Sequence, residues 1–145
     1  MFIRNAKEND LDHLLDLYTY LNDDKRPVVT KEMILLWSDI INDKNQYILV
    51  AEIEGSIISS VTITIIRNIT RRMRSYGLIE NVVTHPAHRK KGYAKALMNE
   101  AVKIAKDRSC YKVMLLTGSK EENVLRFYEG CGFNQKDKTG FVIWI

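Results

Sequence analysis

Leu78 to Ala105 restricts the folding of this chain more than any other stretch, because it joins a strand to a helix through a single short turn. The apolar, β-branched run Leu78-Ile79 then Val82-Val83 reads as a strand, and Pro86 ends it. From Gly92 onward the apolar residues fall at Ala94, Leu97, Met98, Ala101, Val102 and Ala105, the spacing of one buried helical face. Lys95, Asn99, Lys103 and Lys106 point the other way. A unit of this kind belongs in a layered architecture of helices packed on a sheet.

The turn has a chemical consequence. The first backbone N–H groups of a helix have no intrahelical acceptor and lie at the positive end of its dipole, so anions bind there. Arg89, Lys90 and Lys91 add charge, Gly92 lets the backbone approach closely, and Ala94 keeps bulk out of the way. The same residues also fit a solvated basic turn entering a helix.

On either side of this unit the pattern is regular. Phe2-Ile3-Arg4 predicts a first strand, with Asn9 and Asp10 as caps of a helix whose inner face is Leu11, Leu14, Leu15, Tyr18 and Leu21. Asn22–Pro27 reads as a loop, and Thr30 caps a second helix with Met33, Leu36, Trp37, Ile40 and Ile41 inward. Residues 47–53 and 57–66 form a hairpin joined at Glu54-Gly55, since Val61, Ile63 and Ile65 alternate with Thr62 and Thr64. Arg67–Ser75 carries four arginines and reads as a mobile solvated loop, or as a border of a pocket for an anionic substrate. Lys112–Thr117 predicts a strand, Glu121–Tyr128 a helix, Gly132-Phe133 a new extended segment and, after a turn at Thr139-Gly140, Phe141–Ile145 a last strand.

Composition narrows the class. The 145 residues suit one domain, residues 1–145, with 46% hydrophobic content and a mean hydropathy of −0.22. No signal peptide or membrane span is evident. Cys110 and Cys131 form neither a metal spacing nor a disulfide framework, so reduced thiols in a cytoplasmic protein are expected, with no metal. A net charge of +4 falls short of the footprint of a nucleic-acid binder, and the arginine segment lacks an aromatic platform.

Arg89-Lys90-Lys91-Gly92-Tyr93-Ala94 resembles the (Arg/Gln)-x-x-Gly-x-(Gly/Ala) signature of the GNAT superfamily of acyl-CoA-dependent N-acyltransferases. One strand later, Phe127-Tyr128-Glu129-Gly130-Cys131-Gly132-Phe133 resembles the second hallmark of that family, Phe-Tyr-Glu-x-x-Gly-Phe. The order of elements is similar to the complete GNAT topology. The resemblance implies an α/β fold with a mixed, mostly antiparallel sheet of about seven strands and about four helices. It also implies direct transfer of an acetyl group from acetyl-CoA to a primary amine of a small molecule or peptide, with no protein nucleophile.

Further expectations follow residue by residue from that resemblance. Backbone amides of Arg89, Lys90, Lys91, Gly92, Tyr93, Ala94 and Lys95 would hold the coenzyme A pyrophosphate, and those of Val82, Val83 and Thr84 the pantetheine arm. Where similar members carry a coenzyme-contacting Asn this chain has Glu121, and Asn123 stands nearby to take that contact. Tyr128 matches the general acid that protonates the departing sulfur; packing with a satisfied hydroxyl is the alternative. Glu80 matches an acid that accepts the amine proton, against a salt bridge or a solvated edge. The overhanging helices imply that Tyr18, Tyr20 or Trp37 touches the acceptor, although aromatics at helical spacing also suit a core. His85 and His88 read as structural. Cys110-Tyr111-Lys112-Val113 with the second hallmark looks similar to glucosamine-6-phosphate N-acetyltransferases. A non-catalytic acyl-CoA-binding domain and a homodimer are the remaining expectations.

Overall fold

The computed structural model describes residues 1–22 and 25–145, the side chain of Asn22 excepted, so part of the loop expected at Asn22–Pro27 lies outside the described residues. Strands β1 (Phe2–Asn5), β2 (Gln46–Ile53), β3 (Ser56–Ile66), β4 (Tyr76–Thr84) and β5 (Val113–Leu115) form one sheet in chain order. All neighbours are antiparallel except β4 and β5, which run parallel. The helices are α1 (Leu11–Asn22), α2 (Lys31–Asn42), the single turn α3 (Thr70–Met73), α4 (Tyr93–Asp107) and α5 (Glu122–Gly130). Parallel strands need a crossover, and α4 supplies it.

Each face of the sheet has its own core. Leu97, Met98, Ala101 and Ala105 of α4 are buried against Ile63, Ile65 and Ile79, as their spacing predicts. Leu14 and Leu17 of α1 and Trp37 of α2 pack on the opposite face with Val50 and Val83. Each fully buried side chain of this size contributes roughly 1.5–3 kcal/mol. The β2–β3 turn forms where expected, with Glu54 and Gly55 at φ 49° and 79°, the left-handed pair a two-residue hairpin requires.

Four expectations are corrected. Among the described residues there are five strands and not about seven, because residues 132–133 and 141–145 gain no strand partner, and five helices and not about four, because Thr70–Met73 adds a single turn. Leu36 is 59% exposed, because Trp37 turns inward and donates Nε1–H to the Glu8 carbonyl at 2.9 Å, placing the preceding residue about 100° around the helix. The arginine segment is not a free loop: Arg74 donates to the carbonyls of Ser109 and Cys110, and the Arg71 guanidinium lies 5.7 Å from the Tyr111 ring centroid. Asp10 caps the short turn Glu8–Asp10 rather than α1, accepting from the Lys7 N–H at 2.6 Å.

Asp10 also binds Arg4, whose guanidinium reaches Glu52 as well. Burial pushes the Asp10 carboxyl up, but the hydrogen bonds from Arg4 and Lys7 outweigh it and hold the group below the usual carboxylate value. A folded-state value that is depressed means stability present above about pH 4 and lost as pH falls through the lower folded value. With Arg4 and Asp10 side chains only 14% and 9% exposed, Arg4→Ala leaves a buried carboxylate unpaired. Urea unfolding at neutral pH is expected to show a loss of about 3 kcal/mol, shrinking as pH is lowered.

Candidate active site

The site begins with a separation of two strands. β4 pairs with β5 only over Gly77–Ile79 against Val113–Leu115, while its pairing with β3 continues to Thr84 opposite Ser59. Beyond Ile79, one edge of β4 therefore has no strand beside it among the described residues, which leaves the segment from Glu80 to Thr84 unpaired on that side.

Within that segment the strand carries a bulge. Thr62 pairs with Glu80 and Ser60 with Val83, so Asn81 and Val82 together face the single residue Val61. Asn81 sits at φ 53°, a left-handed conformation that Asn tolerates better than most residues. The bulge reverses the faces: Ile79 packs in the α4 core, yet Val83, four residues later, packs in the α1–α2 core. Side chains four apart on an uninterrupted strand would share a face. Glu80, just before the bulge, lies on the α1 side by simple alternation with Ile79; it stands opposite Thr62, exposed, with no ion pair among the described residues.

The turn after β4 is built from its own hydrogen bonds. His85 accepts from the Ala87 N–H through Nδ1 at 3.2 Å, Arg89 donates Nε–H to the Thr84 carbonyl, and Lys91 donates to the Ala87 carbonyl. Lys90 and Gly92 take φ 60° and 85°, and α4 starts at Tyr93 with no side-chain cap. Among the described residues no acceptor meets the backbone N–H groups from Lys90 through Lys95; the first one paired is Ala96, to the Gly92 carbonyl at 3.0 Å. A run of free N–H donors through a left-handed bend into a helix start is an anion-binding concavity.

α5 packs against the α4 core through Phe127 and Tyr128, and through Cys131 just beyond its end. Tyr128 is half-buried, its ring 5.1 Å from that of Phe127. Burial pushes its phenol up, with Cys131 and the Glu80 carboxylate adding to the shift, so it is protonated at neutral pH. Burial pushes the Cys131 thiol up, with the Lys95 charge at the start of α4 opposing it only in part. Asn123 is exposed in the first turn of α5, its Oδ1 accepting from the Val124 N–H, which leaves its Nδ2 group free to donate.

On the α1 side, Leu15, Tyr18, Thr19, Leu21, Lys25, Pro27 and Asn81 line an open groove. Of Tyr18, Tyr20 and Trp37, Tyr18 is the one that lines this groove. Trp37 is core, and the Tyr20 hydroxyl meets His85 Nε2 at 3.4 Å. His88 packs between His85 and Tyr93. Asn81, Lys25, Ser60 and Thr62 escaped the sequence reading. Ser60 and Thr62 are buried, face Tyr18 and lack a well-formed hydrogen bond. The only signal for Asn81 is its polarity inside an apolar strand. None of the arginines from Arg67 to Arg74 lines the groove. Among the described residues no cluster suits a metal ion, and no helix is long and apolar enough to cross a membrane.

The pattern of the Acetyltransferase (GNAT) family matches residues 14–133. This chain belongs to the GNAT acetyltransferase family. A solved chain from Agrobacterium tumefaciens str. C58, which carries a provisional acetyltransferase name, is 39% identical over the whole of both chains with a TM-score of 0.94. The glucosamine-6-phosphate N-acetyltransferase of Arabidopsis thaliana aligns at 25% identity over 99% of this chain and 98% of its own, with a TM-score of 0.85. The glucosamine 6-phosphate N-acetyltransferase of Trypanosoma brucei brucei is 37% identical over 84 residues, 58% of this chain. This GNAT chain spans 55% of that relative's length and 45% to 61% of the next two curated relatives it matches.

Proposed function

We propose that residues 1–145 act as one acetyl-CoA-dependent N-acetyltransferase domain, transferring an acetyl group directly to a primary amine of a small molecule or peptide. The observation that carries the reading is the run of free N–H groups from Lys90 to Lys95 at the mouth of the gap between β4 and β5. A diphosphate fits such donors, and Gly92 has nothing within 4 Å of where a side chain would begin, so the approach is open. Arg89, Lys90 and Lys91 add long-range attraction. Val82, Val83 and Thr84, on the free edge of β4, offer the pantetheine amides a strand to pair with, and Asn123 Nδ2 offers a donor from the other wall.

Bound there, acetyl-CoA supplies an activated acyl group as a thioester. Glu80 takes the proton of the attacking amine, directly or through a water. Tyr128, kept protonated by burial, gives its proton to the departing sulfur. Nitrogen gains the acyl carbon, the carbon–sulfur bond breaks, and one proton passes from amine to thiol through the two residues. A backbone N–H of this β4 segment would polarise the thioester carbonyl.

A second reading, an amino-sugar phosphate as acceptor, is favoured by the names of the Trypanosoma and Arabidopsis relatives. In this chain the cation at the groove is Lys25 and not the arginine segment. Incubation with acetyl-CoA and a panel of amines, including glucosamine 6-phosphate, polyamines, amino acids and peptides, with released thiol as readout, tests both. Thiol release with at least one amine is expected. Calorimetric binding of coenzyme A without release across the panel would favour an acyl-CoA-binding domain, and no binding would remove the proposal.

A further inference from the structure

Two hydroxyls lie buried under α1 without a well-formed hydrogen bond. Ser60 and Thr62 of β3 are 0% and 4% exposed, and neither side-chain oxygen has a properly placed partner among the described residues. Strand register sets both on the α1–α2 side of the sheet, Ser60 between Val50 and Val83 and Thr62 between Ile48 and Glu80. The adjacent buried serine differs, since Ser59 donates to the Val83 carbonyl at 2.8 Å. A buried hydroxyl left unpaired destabilises a fold, whereas an apolar side chain of the same shape does not. Packing alone gives no reason for a Ser and a Thr at these two places.

Tyr18 supplies the reason. It packs on the same core and lines the groove with Thr19, Lys25 and Asn81. Burial pushes its phenol up, and Ser60 and Thr62 each draw it part of the way back, as groups that donate to the phenol oxygen do. That oxygen has two lone pairs and one proton. With Ser60 and Thr62 on the lone pairs, the proton is left to point away from them, and the open side of Tyr18 is the groove. Contacts that are loose in a free enzyme tighten when substrate is bound.

We infer that Ser60 and Thr62 are positioning residues that hold Tyr18 by its oxygen and aim its O–H into the groove, selecting amines that carry a hydrogen-bond-accepting oxygen over plain alkylamines. Glu80, exposed beside Thr62, faces the amino end of such a molecule. The selectivity rests on the acetyl transfer proposed above; the holding of Tyr18 does not.

Ser60→Ala and Thr62→Val remove the hydroxyls, singly and together, and Thr62→Ser keeps one. Carbon-13 NMR of tyrosine-labelled protein, with Tyr18 assigned through Tyr18→Phe, is expected to show its phenol titrating at higher pH in the double variant and unmoved in Thr62→Ser. Kinetics with glucosamine against cyclohexylamine, and 3-amino-1-propanol against n-butylamine, should show the oxygen-bearing amine preferred in kcat/KM. The double variant should lose about two- to tenfold of that preference through KM, with kcat within about twofold, and melt no lower than the unmodified protein. A Tyr18 titration indifferent to both hydroxyls overturns the holding. An alkylamine accepted equally well, or a preference untouched by the double variant, overturns the selectivity, and a lowered melting temperature for both single variants would make the hydroxyls structural. A protein that acetylates no amine removes the proposed function and the selectivity with it, while the Tyr18 titration still decides the holding.

Discussion

Tyr128→Phe is expected to lower kcat by about 10²- to 10⁴-fold, the usual contribution of a positioned general acid, while leaving acetyl-CoA affinity within about threefold. The phenol lies half-buried at the gap with Glu80 acting on it, and the substitution removes one oxygen while keeping the ring against Phe127. Burial raises its pKa, so the protonated form that can donate persists past the ordinary phenol value near about 10. The rate for the unmodified protein should accordingly fall on the alkaline side only above that pH, and the Phe variant should lack this limb. An unaltered kcat would assign Tyr128 to packing. A raised KM with kcat preserved would make it a binding group.

The second large effect is expected at Gly92. Gly92→Val places a β-branched side chain at φ 85°, where any L-residue is strained by about 1–2 kcal/mol. Nothing lies within 4 Å of the new Cβ, so the free protein has room for it and folds with only that loss. The new side chain stands where a diphosphate would approach the N–H groups of Lys90–Lys95. Losing even one charge-assisted bond, about 1.5–3 kcal/mol, corresponds to a ten- to hundredfold weaker dissociation constant for acetyl-CoA by calorimetry. Gly92→Ala should share the strain with a smaller loss of binding. Lower thermal stability with unchanged affinity would move the anion site away from this loop.

Both variants probe residues that were visible in the sequence, and the reason is physical. The helix start at Gly92, the free N–H groups after it and the buried stripe Leu97, Met98, Ala101 and Ala105 follow from interactions spanning a few positions, which composition and spacing encode directly. The Glu54-Gly55 turn is legible on the same ground. Tyr128 and Glu80 were both reached through the family resemblance, which matches residue types at fixed places along the chain.

What tertiary structure alone decided depends on partners distant in the chain. The parting of β4 from β5 after Ile79 and the extra residue opposite Val61 are matters of register between strands; the first leaves the β4 edge unpaired from Glu80 onward and the second brings Asn81 beside Leu15 and Tyr18 of α1. The docking of the arginine segment on Tyr111, Ser109 and Cys110 is likewise invisible from its own composition. Phe141–Ile145 makes the contrast plain. Its residues favour an extended conformation, but a strand exists only when an edge pairs with it, and among the described residues none does.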